Sequence, residues 1–290
     1  MKSLFFLLCF FQLSAQVKGV VVDENNQPIP YVNIWIENEN VGTTSNDNGF
    51  FTINASEGKR LVFSAVGFQS KIISIQNEEK VVLKTAVFKL DEIIITKRKQ
   101  DKELEIGNAE RIHHRQLSGD KPWIYGKLFE FDTLYKKTPF LKKIVFYSDS
   151  DIKNAKLKIR IFEFNDSIPT NDLLSEDLMV TVKKGMRKNS IDISKFNLKF
   201  PEKGVVIGLE WLIIEENKFF FEYKSYDSKE IVKSISYAPC LVVNYSKVEH
   251  SFSYSKGKWV RNKIFVNENS NDKPWFNTVI LPAINLILTN

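Results

Sequence analysis

Tyr31-Val32-Asn33-Ile34-Trp35-Ile36-Glu37 is the stretch that decides the fold class, because its aliphatic residues recur at every second position. Val32, Ile34 and Ile36 fall on one face of an extended chain, while Asn, Trp and Glu occupy the other face. This alternation predicts a half-buried β-strand. The composition agrees, since 23 Phe and 13% aromatic residues in a chain of 290 favour strands over helices. The sequence therefore predicts an all-β protein.

Turn signals divide the surrounding eighty residues into short strands. Asn25-Asn26-Gln27-Pro28 and Asn46-Asp47-Asn48-Gly49 are turn clusters, because Asn and Gly accept positive φ and Pro presets its own φ. The apolar runs between such clusters give the strand density of a β-sandwich. The predicted strands are 17–23, 31–37, 49–55, 60–66, 68–75, 80–83 and 87–96.

Several spaced motifs in this region resemble the carboxypeptidase regulatory-like domain. They include VKGVVVD at 17–23, GFF at 49–51, VGF at 66–68 and LDEIIIT at 90–96. That family is a transthyretin-like sandwich, often found just before the plug of TonB-dependent outer-membrane receptors. The resemblance covers less than a third of the chain and implies a seven-stranded sandwich over 16–96. Its last segment can act as a TonB contact in receptors, and here we interpret it as a closing strand.

The N-terminus has the layout of a secretory signal peptide over residues 1–15, with a basic start, an apolar run at 4–11 and a small-residue end at 14–15. We expect export, with cleavage before Gln16. Cys9 lacks the small preceding residue that lipoprotein processing needs, so a lipid anchor is not expected. Beyond this segment no apolar run is long enough to span a membrane as a helix.

A polar stretch at 97–110 separates the first domain from the rest and is predicted to be a linker. Strand signals return after it, and they predict a larger, jelly-roll-like β-sandwich over 111–290. This part resembles uncharacterised β domains that follow the regulatory-like domain. Trp211 stands in an apolar row and is expected in the core. The predicted inward rows are 157/159/161, 205/207/209/211/213 and 219/221/223.

Three tryptophans of the second domain are candidate ligand-binding residues. Trp123, Trp259 and Trp275 neighbour Pro, Gly or Lys, which predicts partial exposure and a stacking surface for a ligand. Two of them end a repeated Asp-Lys-Pro-Trp, at 120–123 and 272–275. For the repeat itself, we favour chance, or two plugs that close the ends of one sandwich, over a pair of ligand-stacking residues.

Lys156, Lys158 and Arg160 form the one orderly basic face, on the side of a strand opposite its apolar residues. Such a face could bind an anionic glycan, lipopolysaccharide or a protein partner. The simpler interpretation is the solvated outer face of an antiparallel strand.

The sequence gives little support for catalysis or metal binding. His113 and His114 are adjacent, so on a strand they point to opposite faces and cannot easily hold one metal ion. Cys240 lies in an apolar context, where a thiol is usually a small buried hydrophobe. Asp149 and Asp151 could bind calcium or serve as turn residues. We therefore expect no catalytic residue, no metal and no cofactor.

The resulting prediction is a non-enzymatic, exported cell-envelope protein, periplasmic or outer-membrane associated, that acts as a protein-interaction module. The alternative is a carbohydrate-binding protein that uses its C-terminal sandwich. The formal charge of +6 is spread along the chain without a basic block, so no nucleic-acid partner is expected. The partner is then an envelope protein or a glycan.

Overall fold

The computed structural model describes residues 16–75, 78–86, 100–111, 114–225, 227–228, 230–264, 266 and 276–290. These residues form 23 β-strands and three short 3-10 helices, with no α-helix among them. The all-β prediction is confirmed. No helix in this part of the chain is long and apolar enough to cross a membrane. The predicted signal peptide, the strand at 87–96, His113 and Trp275 lie outside the described residues.

The first domain is a sandwich of a three-stranded sheet, in the order β4-β1-β7, and a four-stranded sheet, in the order β3-β2-β5-β6. Strand β1 runs parallel to β7, and the other pairs are antiparallel. The core between the sheets includes Ile34, Leu61 and Phe63, which are fully buried. The strands are β1 Gln16–Val22, β2 Asn33–Ile36, β3 Gly42–Thr44, β4 Phe50–Asn54, β5 Arg60–Ser64, β6 Lys71–Ser74 and β7 Glu78–Val82.

The second domain packs two seven-stranded sheets face to face. One sheet follows the order β13-β12-β16-β10-β20-β21, with β14 also on β12; the other follows β22-β19-β11-β23-β8, with β15 on β11 and β9 on β19. Strands β17 and β18 form a separate hairpin. The strands are β8 Glu103–Ile106, β9 Arg115–Gln116, β10 Ile124–Phe129, β11 Phe140–Ser150, β12 Ala155–Phe164, β13 Pro169–Asp172, β14 Leu178–Val182, β15 Gly185–Asp192, β16 Val205–Trp211, β17 Lys218–Lys224, β18 Ile231–Tyr237, β19 Cys240–Ser246, β20 Ser251–Ser255, β21 Lys258–Arg261, β22 Val279–Pro282 and β23 Ile284–Thr289.

Two of the predicted inward rows face the core between these sheets. Leu157, Ile159 and Ile161 are fully buried there. Trp211 is 1% exposed, and its indole Nε1 donates a hydrogen bond to the carbonyl oxygen of Pro239 at 2.6 Å. The row on β17 is different, because it begins buried at Phe219 and ends half-exposed at Tyr223. That strand leaves the sandwich as it proceeds.

The predicted linker at 97–110 is wrong over residues 103–106. Those residues form β8, which pairs antiparallel with β23 at the edge of the second domain. Leu104 and Ile106 are half-buried against the core, while Glu103 and Glu105 are exposed. Apolar and charged residues alternate along β8, as they do in a strand with one covered face. The many charged residues on either side nevertheless made the whole stretch resemble a linker in composition.

Candidate functional site

The basic stripe on β12 lies between the two domains. Lys158 is 1% exposed and Arg160 is 3% exposed. The Lys158 Nζ donates to the carbonyl oxygen of Tyr31 in the first domain at 2.9 Å and forms an ion pair with Asp177 at 2.8 Å. Lys156, at the rim, places its Nζ 3.3 Å from the Tyr31 hydroxyl and 3.6 Å from Glu216.

Arg160 is the most densely paired residue of this interface, which we call the domain seam. Its guanidinium forms a two-pronged hydrogen bond with the carboxylate of Asp172 and donates to the Ser64 Oγ at 3.1 Å. A second carboxylate, that of Glu210, lies 3.6 Å from its Nη1. Burial disfavours the charge of Arg160, but the carboxylates of Asp172 and Glu210 more than offset this and raise the pKa of the guanidinium.

Asn33 completes the seam from the side of the first domain. Its Nδ2 donates to the Glu210 Oε1 and to the carbonyl oxygen of Pro122, both at 2.7 Å. Burial raises the pKa of Glu210, although Arg160 and Lys158 act in the opposite direction. Each charged group of the seam therefore has a partner of opposite charge or a hydrogen bond.

The expectation of a half-buried β2 is wrong, because all four of its residues are buried. Trp35, on the face expected to be polar, packs against residues of the second domain that include Phe162, Val206 and Phe252. The loop at Gly67, which has a φ of +84°, meets the same domain so closely that an added Cβ would lie 2.5 Å from the carbonyl oxygen of Ser175.

The interpretation of the stripe as a solvated outer face is also wrong for Lys158 and Arg160. The physical reason is that alternation along a strand shows which residues share a face, but not what covers that face. The docked first domain covers this one. Of the three basic residues, Lys156 at the rim is the one that stays partly open to solvent.

A cleft opens at one end of the second sandwich, where its two sheets separate. We call it the aromatic cleft, and its volume is about 430 Å³. One sheet contributes residues of β10, β16 and β20, and the other contributes residues of β9 and β22. The lining residues are Gln116, Trp123, Tyr125, Trp211, Ser253, Asn262, Lys263, Thr278, Val279 and Ile280.

Trp123 is the half-buried aromatic residue of the aromatic cleft. Its indole Nε1 is shielded from solvent and has no hydrogen-bond acceptor among the described residues. Tyr125 and Trp211 lie deeper, and the Tyr125 hydroxyl donates to the carbonyl oxygen of Ile280 at 2.8 Å. Burial raises the pKa of Tyr125, so this phenol stays neutral over the physiological range.

The polar groups of the aromatic cleft are mostly neutral. Ser253 donates to the Asn262 Oδ1 at 3.0 Å, and the Asn262 Nδ2 donates to the Ser251 Oγ at 2.7 Å. The ammonium of Lys263 is paired with Glu249 at 2.7 Å. The cleft thus combines aromatic and aliphatic walls with a hydroxyl and amide network.

Sequence reasoning found Trp123 but missed the hydroxyl side of the cleft. The signal was present in β20, where Ser251, Ser253 and Ser255 alternate with Phe252 and Tyr254. The aromatic face of this strand packs towards the domain seam, which leaves the serine face for the interior of the sandwich. A row of hydroxyls opposite an aromatic row indicates a polar cavity beside a packed interface.

The structure does not bring Trp259 to the aromatic cleft. Trp259 lies on the other face of the same sheet, where its ring packs edge-on against Phe162 at 4.9 Å and Tyr254 at 5.4 Å. It packs against the hydrophobic cluster that contains Trp35 next to the domain seam, and Trp123 also touches this cluster. The ligand-binding role predicted for Trp123 stays a prediction, and Trp275 lies outside the described residues.

Three of the residues considered for chemistry lie together, because Asp149 pairs with Cys240 across β11 and β19 and the Cys240 Sγ is 4.0 Å from the Asp151 Oδ2. Burial raises the pKa of the Cys240 thiol to about 12. His114 contacts the Tyr245 hydroxyl at 3.0 Å, and Asp149, one of the two calcium candidates, forms an ion pair with Arg115 at 3.2 Å. Within the part of the chain that the structure describes, no three His, Cys, Asp or Glu side chains cluster in a way that could hold a metal ion.

Comparison with known proteins adds a family assignment for the first domain. The family model described as the CarboxypepD_reg-like domain matches residues 17–95. This stretch is a CarboxypepD_reg-like domain. The match confirms the resemblance drawn from the spaced motifs.

Two curated relatives share this domain region. TonB-dependent receptor SusC of Bacteroides thetaiotaomicron is 27% identical over 93 residues, which are 32% of this chain and 9% of the receptor. TonB-dependent receptor P26 of Formosa agariphila is 30% identical over 100 residues, which are 33% of this chain and 10% of the receptor. The chain therefore spans about a tenth of the length of the curated relatives that it matches.

Among solved structures, the chain is similar to two of Cwp84. The cysteine protease and lectin-like domains of this surface-layer-associated protein of Clostridium difficile give a TM-score of 0.38 at 10% identity, covering 86% of this chain and 46% of the other. The clostridial protease after propeptide cleavage gives 0.39 at 11% identity, covering 89% and 65%. Scores of this size carry no argument about function.

Proposed function

We propose that this chain is a non-enzymatic binding protein of the bacterial cell envelope and that its aromatic cleft holds the ligand. The observation that carries the proposal is the cleft itself, a concave and largely apolar site in which a few polar groups converge around Trp123. Small-ligand sites in proteins have this composition and a similar volume.

A short glycan is the ligand that this chemistry fits best. Sugars present apolar ring faces that stack on an indole, and hydroxyls that exchange hydrogen bonds with side-chain amides and hydroxyls. The cleft offers the Trp123 ring together with Gln116, Ser253 and Asn262. Its cationic group, Lys263, is already paired with Glu249, which favours a neutral ligand over an anionic one.

The proposed location is the periplasm or the outer membrane. The relatedness of residues 17–95 to TonB-dependent receptors supports an envelope context. Export would follow from the signal-peptide pattern of residues 1–15. In this proposal the CarboxypepD_reg-like domain is a rigid support for the second domain, because the domain seam holds the two together.

The function test is a glycan-array screen of the purified chain, followed by titration of the best glycan. Trp123→Ala should weaken its binding at least tenfold, because the stacking face is lost. Trp259→Ala, outside the cleft, is the matched tryptophan control and should bind normally. Equal binding by the wild type and Trp123→Ala would contradict the proposal, as would an array on which nothing binds.

Thermal unfolding of the same variants separates a binding residue from a structural plug. Trp211→Ala should be strongly destabilised, because its side chain is buried and its Nε1 is hydrogen-bonded. Trp123→Ala should unfold much closer to the wild-type temperature. If the two variants are equally destabilised, Trp123 is a plug of the sandwich.

A protein partner is the second candidate, and the β17–β18 hairpin favours it. Phe220 is 72% exposed and Ile231 is 71% exposed on this hairpin. Exposed apolar side chains grouped on one element are typical of protein-interaction surfaces. Capture of an envelope protein by the wild type, but not by Ile231→Ser, would support this candidate.

A further inference from the structure

The hairpin of β17 and β18 carries one edge that is open to another strand. The two strands pair antiparallel from Lys218 opposite Tyr237 to Lys224 opposite Ile231. In the described part of the chain, no third strand joins this two-stranded sheet. An unpaired strand edge is a template for pairing with a further strand.

Hydrogen bonding beside β18 shows which residues of β17 face outward. The backbone N–H of Tyr237 donates to the Ser118 Oγ at 3.2 Å, and its carbonyl oxygen accepts from the same hydroxyl at 2.8 Å. The polar backbone groups of Tyr237 therefore point away from β17. Because backbone direction alternates along an antiparallel pair, Phe220 and Glu222 point their N–H and C=O groups away from β18.

We propose that β17 pairs antiparallel with β17 of a second copy of this chain, about a two-fold axis at Phe220. In this register Phe220 lies opposite its own copy and exchanges both backbone hydrogen bonds with it. Lys218 lies opposite Glu222 of the second copy, and the symmetry repeats this contact on the other side. The Lys218 N–H already donates to Glu215, but its carbonyl oxygen can accept from Glu222 of the second copy.

The charged residues of β17 favour this register over those with the two-fold axis one residue earlier or later. An axis at Phe221 would place Lys218 opposite Lys224 of the second copy and Phe220 opposite Glu222. An axis at Phe219 would leave Glu222 without an opposite strand residue, because that position is Glu216 in the 3-10 helix Glu215–Asn217. Like charges directly opposite each other destabilise a strand pair, whereas opposite charges stabilise it. The register centred on Phe220 is the one among these three that pairs unlike charges.

The side chains on the outer face of the hairpin fit the same arrangement. Phe220 lies opposite Ile235, which is 40% exposed, so the dimer would join two such pairs into one apolar row across four strands. Glu222 already lies 3.3 Å from Lys233. Lys218 of the second copy would extend this pair into a row of alternating charge. The interface is small, so we expect a dimer with a Kd in the micromolar range or weaker, on the order of other interfaces of this size.

Disulfide trapping tests the register directly. In a full chain carrying Cys9→Ser, Phe220→Cys should form a covalent dimer on mild oxidation, because opposite residues in such a pair have Cα atoms about 5.5 Å apart. Lys224→Cys is the control on the same edge. In the proposed register its Cα lies about 27 Å from that of its copy, eight residues at roughly 3.4 Å each, so it should form no covalent dimer.

Equal cross-linking of the two cysteine variants, or no cross-linking of Phe220→Cys up to millimolar protein, would overturn the proposal. Sedimentation analysis gives a second, independent measurement. Lys218→Glu alone and Glu222→Lys alone should each weaken dimerisation at least fivefold, and the combined variant should restore it. A combined variant as weak as the single ones would overturn the register, since the swap keeps both pairs between the two copies unlike. The swap also changes the pairs of Glu222 with Lys233 and of Lys218 with Glu215, but it does so equally in the monomer and the dimer. Neither experiment depends on a ligand in the aromatic cleft.

Discussion

The domain seam buries charged side chains, whereas the β17–β18 hairpin exposes apolar ones. The seam buries Lys158, Arg160 and Glu210 almost completely, while the hairpin exposes Phe220 and Ile231 by about seven-tenths. Lys, Arg and Glu are rarely fully buried unless they are paired. In the seam, every one of these charges has its partner within the same chain.

This contrast teaches how to interpret an unusual residue once its surroundings are known. Buried charges with complete partners belong to an interface that is already formed, because an unpaired buried charge would be too costly. Exposed apolar side chains on an open strand edge have no such explanation among the residues that the structure describes. We therefore assign a structural role to the seam and propose an interaction role for the hairpin.

The largest loss of stability is expected when Arg160, the central cation of the seam, is removed. Arg160→Ala would leave the carboxylates of Asp172 and Glu210 buried without their partner. The expected loss in the free energy of unfolding is about 3–5 kcal/mol, the usual cost of breaking a buried pair from one side. Urea denaturation followed by circular dichroism measures it. Lys195→Ala, which removes the exposed pair with Glu176, is the control and should change stability by less than about 1 kcal/mol.

Lys127 is a buried lysine that has no carboxylate partner in the described part of the chain, so it shows what burial does to an unpaired charge. The Lys127 Nζ donates to the carbonyl oxygen of Ile284 at 2.7 Å, and burial lowers the pKa of Lys127 from 10.5 to about 8. Between pH 8 and 10.5 the unfolded chain binds more protons at this site than the folded chain does. The contribution of Lys127 to stability should therefore rise with pH across this window, by roughly 3 kcal/mol in total.

The corresponding measurement compares urea denaturation of the wild type and Lys127→Met at several pH values from 7 to 10.5. Their difference in the free energy of unfolding should shift in favour of the wild type as the pH rises. Groups that titrate in both proteins cancel in this difference. Parallel pH profiles would show that Lys127 keeps its ordinary pKa.

Asn33→Ala tests the seam from the side of the first domain. The substitution removes the hydrogen bonds to Glu210 and to the carbonyl oxygen of Pro122, and both acceptors stay buried. We expect a loss of about 2 kcal/mol, in the range for buried groups left unsatisfied. Asn54→Ala, at an exposed position of β4 in the first domain, is the matched control. A loss no larger than that of the control would mean that the seam opens readily.

The smallest effect is expected at the hairpin. Phe220→Ser should change the stability of the monomer by less than about 0.5 kcal/mol, because the ring is exposed. Its neighbour Phe219 is buried against the core of the second domain, so Phe219→Ala should cost about 3 kcal/mol. Thermal unfolding at low protein concentration measures both. A large loss in Phe220→Ser would give that ring a structural role in the monomer.

Sequence patterns between near neighbours were enough to predict a strand and its buried side where the strand has one covered face and alternates clearly. The rows at Leu157 and at Trp211 were predicted from alternation alone, and the regulatory-like domain from motifs spaced along 17–95. Short strands and strands rich in charged residues were not predicted in this way. Strand β3 has three residues, and β8 carries two glutamates in four positions, so neither has a distinctive apolar signal.

The amino-acid sequence by itself determined the all-β class, the identity of the first domain, the inward rows of the second and the position of Trp123 beside a turn. Only the tertiary structure decided that the basic face of β12 is buried, that Trp123 and Trp259 lie on opposite faces of one sheet, and that β9, β20 and β22 meet at one cleft. The physical reason is that periodicity depends on backbone geometry between near neighbours, whereas a covered face or a cleft depends on which distant strands pack together.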